Sequence, residues 1–321
     1  MIKTLWFFCC IIAAAPGLAT AQAYPSKPIR IVVGFAPGGG SDVMARLVAA
    51  KLGDAFKQQV IVENRPGANG NVAAEYVSQT APDGYTILMV SVSHAISRSL
   101  YKNLKYDFVR DFQGVSSIAS VANVVVVHPS MPARSLEDLI ALARSKPGEV
   151  AYASSGSGSP EHIAAELLAS MANLRMVHVP YKGGSASAND IIGGQILLGF
   201  NTMPVALPHI KSGRMRALAV TDDKRSAALP DIPTVAQAGL PGYAMSTWYG
   251  MTVPSATPKE ITAQLNLEIN RILRLPDVKE RFATLGAEPT GGTVETFGSY
   301  IRSEVMKYSK LVADAKLQAD Q

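Results

Sequence analysis

The chain has 321 residues, a formal charge of +5 from 30 Lys and Arg against 25 Asp and Glu, 48% hydrophobic residues and two cysteines. Such a length suits one large domain or two lobes. The basic residues are scattered, which argues against a nucleic-acid surface, and both cysteines fall in the first ten residues, which leaves the rest without a disulfide, a thiol nucleophile or a thiolate metal site.

Lys3 precedes an apolar run from Leu5 to Ala15, and Ala21-Gln22-Ala23 forms a small-x-small cleavage site ahead of Tyr24. Residues 1–23 therefore read as a secretory signal peptide. Phe7-Phe8-Cys9 does not look like a lipobox, so Cys10 belongs to the signal and not to a lipid anchor. Removing 23 of 321 residues leaves 298, with a charge of +4. No later stretch has the roughly 18 consecutive apolar residues of a membrane span, and a soluble, exported product is expected.

Ile29, Ile31, Val32 and Val33 are β-branched and nearly unbroken, the pattern of a strand covered on both faces in a parallel sheet. Pro37 and Gly38-Gly39-Gly40 stop it. Ser41 and Asp42 then stand where they can cap a helix whose apolar Val43, Met44, Leu47, Val48 and Leu52 recur every three or four residues. A glycine loop at a helix start can hold an anion on uncommitted N–H groups. Gly-Lys-Ser/Thr is missing and no basic residue lies between Gly34 and Val43, which speaks against a triphosphate. The third position after Gly40 is Val43, which breaks the dinucleotide fingerprint. A carboxylate remains, beside the alternative of a plain tight turn. The charge of Asp42 opposes an anion unless its side chain turns away to cap backbone N–H groups.

Further along, Val60 to Glu63 reads as a strand, Asn64 to Gly70 as a loop, Asn71 to Gln79 as a helix and Tyr85 to Ser91 as another strand, with Ser91 to His94 as a third loop facing the same crevice. Alternating strands and helices predict an α/β fold with ligands beyond the carboxyl ends of the strands. Val121 to Val127 is a second buried strand, and Ser135-Leu-Glu-Asp138 opens a helix to about Lys146. Val150 to Ala153 leads into Ser154-Ser155-Gly156-Ser157-Gly158-Ser159, and Pro160 takes the first helical position. This second unit mirrors the first. His178 to Gly184 is a strand end and basic turn, Ile191 to Phe200 a helix end plus strand leading to Asn201 and Thr202, and Arg216 to Val220 another strand. Ala228 to Pro233 is proline-punctuated loop, Gly250 to Val253 a strand rejoining the first half, and Pro258 to Leu275 and Val294 to Ala315 are helices.

The motifs Tyr24-Pro-Ser-Lys-Pro-Ile-Arg30, Pro37-Gly-Gly-Gly-Ser-Asp42, Glu63-Asn-Arg-Pro-Gly-Ala68, Pro82-Asp-Gly-Tyr85, His178-Val-Pro-Tyr-Lys-Gly183, Gly193-Gly-Gln195, Leu218-Ala-Val-Thr221 and Ala238-Gly-Leu-Pro-Gly242 together resemble the tripartite tricarboxylate transporter substrate-binding proteins, the Bug family of extracytoplasmic receptors. The resemblance covers essentially the whole mature chain. It implies a periplasmic, two-lobed binding protein of type II (Venus flytrap), each lobe a mostly parallel sheet flanked by helices. Lobe 1 would hold residues 24–121 and 248–321, lobe 2 residues 122–247, with a small carboxylate closed between them. It further implies contacts from Phe35, Ala36, Pro37, Gly38, Gly39, Ser91, His94, Ser154, Ser155, Gly156, Ser157, Gly158, Ser159, Tyr181, Asn201 and Thr202, to which the helix start adds Ser41 and Asp42. The partners implied are integral membrane transporter subunits or, as an alternative, a membrane sensor kinase. Where the family often has an acidic residue after Gly-Gly-Gln, this chain has Ile196-Leu197-Leu198, a more apolar floor that favours an aromatic or larger ligand.

No cofactor is expected, and His94, His128, His162, His178 and His209 lack metal-ligand spacing. Ser154 to Ser159 with His162 suggests a serine hydrolase as the rival, but the elbow G-x-S-x-G is absent. Phe35, Tyr181, Trp248 and Tyr249 either stack on a ligand or fill core and hinge.

Overall fold

The computed structural model describes residues 24–314. The signal peptide expected at 1–23 lies outside them, as does Ala315, where the last helix was expected to end. The first strand, β1 (Ile29–Val33), is buried except at Arg30, and α1 (Gly40–Phe56) packs Met44, Ala45, Val48, Ala49 and Leu52 inward. Next come β2 (Val60–Asn64), α2 (Asn71–Ser78) and β3 (Thr86–Ser91); β1 lies between β2 and β3, parallel to both. Their loops therefore open at one end of the sheet, the geometry of a crossover fold.

The stretch Ser91 to His94, expected as a loop, instead opens α3 (Val92–Leu100) directly from the end of β3. Ser91 Oγ accepts from Ser93 N at 3.3 Å and His94 Nδ1 accepts from Ser91 N at 3.2 Å, a reciprocal cap that fixes the turn without a linker. His94 is fully buried beside Phe108, so it serves the helix start and does not face the crevice.

β4 (Phe112–Val127) begins nine residues earlier than the expected Val121, because buried Gly114, Ser116 and Ser117 interrupt the apolar pattern that would have revealed it. After α4 (Leu136–Ser145), doubly capped by Ser135 and Asp138, follow β5 (Ala151–Ser154), α5 (Pro160–Ala172), β6 (Val177–Pro180), α6 (Gly184–Ile192), β7 (Leu198–Thr202), α7 (Met203–Lys211) and β8 (Arg216–Val220). The chain then returns as β9 (Ser246–Pro254). Two sheets share β4. Its first part, to Ala122, pairs with β9, and its second, from Asn123, pairs with β7 and β8. Strand order is β2-β1-β3-β9-β4-β7-β5-β6. Within each lobe the α/β units are parallel (β2-β1-β3 and β6-β5-β7), whereas β4 and β9, which join the lobes, run antiparallel to their neighbours.

The single helix expected over Pro258 to Leu275 is α8 (Lys259–Leu273), followed by a second one, α9 (Pro276–Thr284), because Pro276 supplies a helix start. β10 (Ala287–Pro289) adds to the first part of β4, and α10 (Val294–Asp314) lays Phe297, Ile301, Val305 and Tyr308 against the sheet.

Gly250, in the centre of β9, lies against the ring of Phe297: a Cβ built there would stand 2.1 Å from Cζ. Gly250→Ala is expected to destabilise the fold by about 1–3 kcal/mol through overpacking, read as a lower urea midpoint at unchanged m-value. Burial holds the His94 imidazole down, to about 4 from an ordinary 6.5. The unfolded chain therefore takes up a proton that the folded one refuses as pH falls from 6.5 towards 4, and stability is lost in that window. His94→Gln is expected to remove up to about 3 kcal/mol of that acid sensitivity, seen when denaturation midpoints of the two proteins are compared at pH 7 and pH 4.5.

Candidate functional site

The chain leaves β1 at Gly34 and enters α1 with Gly39 as N-cap in extended conformation and no side-chain cap. The helix thus begins one residue before Ser41. Ser41 and Asp42, expected as caps, lie inside its first turn. Gly40 is required here for close approach, because a Cβ on it would lie 2.2 Å from the Tyr249 hydroxyl and 2.8 Å from Thr202 Oγ1. β9 and β7 consequently come right up against the start of α1.

Asp42 turns away from this end. Its carboxylate accepts from Gly38 N at 2.9 Å, Arg46 Nε at 2.9 Å and Asn64 Nδ2 at 2.9 Å. Burial pushes the carboxyl up, but these donors, Arg46 foremost, hold it below its ordinary value. The charge that seemed to oppose an anion is used to brace the glycine loop.

A narrow cleft lies between the two lobes. Gly40 and Ser41 at the start of α1, Ser93 at the start of α3, Pro160 and Glu161 at the start of α5, and Gly184 at the start of α6 all face it. Four helix N-termini therefore point their positive dipole ends at one small space; α3 and α5 are capped by Ser91 and Ser159, whereas α1 and α6 carry no side-chain cap and leave their first N–H groups uncommitted. No lysine or arginine is among the described residues that line it. Ser93 Oγ, fully buried on this wall, has no hydrogen-bond partner. Phe35 and Tyr249 supply the aromatic walls. Burial, and after it the neighbouring Glu161, pushes the Tyr249 phenol far above its usual range, so it stays neutral and can donate.

Of the residues expected from the sequence, Phe35, Gly39, Ser41, Ser91 and Ser155 line this cleft. Others latch the lobes: Ala36 N donates to Lys182 O at 3.4 Å, Pro37 O accepts from Ser185 Oγ at 2.9 Å, Ser157 O accepts from Tyr101 OH at 3.2 Å and Gly158 O accepts from Asn69 Nδ2 at 2.8 Å. Gly156 and Tyr181 border a second hollow beside Phe35, Ser155 and Ser157. The Tyr181 hydroxyl donates to Asp190 at 2.7 Å; burial and that carboxylate push the phenol up to about 12.

Gly38, Asp42 and His94 do not reach the cleft wall, being placed as described above, and four more expected residues do not either. Ser154 is buried, with its Oγ 2.6 Å from His178 Nε2 and accepting from Gly156 N; Ser159 caps α5 by accepting from His162 N at 3.2 Å. Asn201 donates to Ser187 Oγ at 2.9 Å and to Gly184 O at 3.3 Å, holding the start of α6. Thr202 is the N-cap position of α7, beneath Gly40. Ser154, Ser159 and Asn201 commit polar groups to backbone or neighbouring side chains, which is why a serine-rich stretch reads as a ligand loop but works largely as scaffold; Thr202 Oγ1 is buried without a hydrogen-bond partner.

Gly40, Ser93, Pro160, Glu161 and Gly184 line the cleft without having been named as contacts, although Gly40 was read in the glycine loop, Ser93 in the loop from Ser91 to His94 and Pro160 as a helix start. Glu161 carries no signal in the sequence, since an acidic residue in the first turn of a helix is ordinary. It is 4% exposed and its Oε2 accepts from Ser155 Oγ at 2.6 Å. Burial pushes its carboxyl above the usual range, against the lowering effect of the Ser155 hydroxyl.

Residues 44–317 match the family described as tripartite tricarboxylate transporter family receptor. The chain is 36% identical over 315 residues to protein BugT of Bordetella pertussis, covering 96% of this chain and 97% of BugT. Among solved structures it is similar to R. palustris Rpa4515 with adipate (35% identity, TM-score 0.90, 92% of this chain and all of that one) and to MatC from Rhodopseudomonas palustris with bound malate (27%, 0.86, 90% and all). With its fold shared across nearly the full length of these proteins, the chain belongs to the tripartite tricarboxylate transporter receptor family.

Proposed function

We propose that this chain is an exported, periplasmic receptor, not an enzyme, that closes its two lobes, residues 24–121 with 248–321 and residues 122–247, over a small carboxylate and presents it to the membrane subunits of a tripartite transporter. The observation that carries this reading is the convergence of four helix starts, two of them without a side-chain cap, on a cleft with no basic side chain among the described residues that line it. The acids in the Rpa4515 and MatC structures, adipate and malate, support the ligand class. No helix of the described residues is long and apolar enough to cross a membrane, which fits a receptor that works beside its transporter.

Magnitudes favour a cup made by several elements. Micromolar affinity needs about 8 kcal/mol, and one helix start acting on a carboxylate gives about 0.3–2 kcal/mol. Hydrogen bonds to a charged group are worth about 1.5–3 kcal/mol each, so N–H groups of two helix starts with the Ser93 and Tyr249 hydroxyls reach the requirement after ordering costs. A hydrolase needs a serine presented to its substrate. Ser154, although paired with His178, is fully buried and held by Gly156, which favours a structural role.

Calorimetry on the purified chain with a panel of small acids and their amides tests the reading. The carboxylate is expected to bind at least about tenfold more tightly than its amide; equal affinity would overturn it. Ser93→Ala is expected to weaken the acid by about 1–3 kcal/mol with little effect on folding.

A further inference from the structure

Glu161 is out of place in a cup for anions. Its carboxyl is buried, lines the cleft beside Gly184, and lies with Oε1 4.0 Å from where a Gly184 side chain would begin. The second-lobe end of the cleft, at the starts of α5 and α6, is thus already supplied with a carboxyl group by the protein itself. Its Oε2 is engaged by Ser155 Oγ at 2.6 Å, and the Ser159 hydroxyl and the Glu161 backbone N–H also act on the carboxyl, which of about four lone-pair sites leaves roughly one for a further donor. At the other end, the starts of α1 and α3 present Gly40, Ser41 and the unpartnered Ser93 hydroxyl, with Asp42 folded back onto Gly38, Arg46 and Asn64. One end of the cleft presents donors, and the other adds an acceptor, Glu161, beside the N–H groups at the start of α6.

We propose that Glu161 is a specificity-determining residue: the bound molecule carries one carboxylate, held at the α1 and α3 end, and a hydrogen-bond donor, an ammonium or a neutral amide, that meets Glu161 at the other, while a second carboxylate is refused there. The inference rests on the carboxylate-receptor reading above and narrows it. Two like charges in a water-poor cleft repel strongly, and a carboxyl left buried opposite an apolar tail loses the partner it was desolvated to meet. Discrimination therefore comes from repulsion of the wrong ligand as much as from attraction of the right one.

The test uses four probes of equal length: succinate, succinamate, 4-aminobutanoate and succinamide, titrated calorimetrically into the purified wild-type chain and Glu161→Gln, with the series one carbon longer run in parallel. At least one donor-terminated acid, 4-aminobutanoate or succinamate, is expected to bind wild type about tenfold or more tightly than succinate. Tight binding of the amine identifies an ionised Glu161 meeting a cation; tight binding of the amide alone identifies a neutral donor. Glu161→Gln is expected to narrow the gap to within about threefold by gaining affinity for the diacid. Succinate binding wild type as well as the donor-terminated acids, or an unchanged ratio in Glu161→Gln, overturns the proposal while leaving the receptor reading intact. Succinamide binding as well as the acids overturns the receptor reading instead, and binding of none overturns both. Should Glu161→Gln fail to fold, the wild-type ratio decides alone.

Discussion

Everything in this molecule depends on leaving backbone N–H groups unspent at the starts of helices and then bringing those starts together. An α-helix cannot satisfy its first N–H groups internally. Most proteins cover them with side-chain caps, and α4 here does so with Ser135 and Asp138. α1 and α6 do not: their N-cap residues are Gly39 and Gly183, without a side-chain cap. Uncapped ends are costly when buried, and their burial against each other makes sense only with a group between them that accepts hydrogen bonds. Anion recognition without a fixed positive side chain follows from that arrangement.

The sheet supplies the framework. Parallel units place every strand-to-helix turn at one edge, and each lobe contributes two of the four starts. β4 keeps the lobes in one piece by changing partners near Ala122 and Asn123, from β9 to β7 and β8. β9 returns beside it, and Tyr249 on β9 touches the start of α1 while its phenol lies near Glu161 of the other lobe. One of the strands that join the lobes, β9, thus also forms part of the cleft wall.

The parallel units, the glycine loop and the serine loop were legible in the sequence because β-branched runs, glycines and Pro160 are strong local signals. The first half of β4 was not, since Gly114, Ser116 and Ser117 are polar or small yet buried by α8 and α10, elements far away in sequence. Capping side chains hid α3, whose Ser91 and His94 look like loop residues until their reciprocal bonds are seen. The cleft was legible as a place but not as a list. Ser154, Ser159 and Asn201 have the right chemistry for a ligand and spend it on scaffold, whereas Glu161 looks ordinary and stands at the wall. Which way a hydroxyl or carboxyl turns is settled by tertiary contacts, and no spacing rule encodes those.

The latch between the lobes has a consequence for how such a receptor can change. Each of its four contacts has a main-chain group on at least one side, at Ala36 with Lys182, at Pro37, at Ser157 and at Gly158, and none is an ion pair. Dissolved salt screens charges and leaves such bonds nearly untouched. Substitutions at Pro37 or Ser157 that keep the chain path would preserve the carbonyl their partners grip. Shutting and recognition are therefore separable traits, and a lineage could drift from one nutrient to another while its clasp stayed the same.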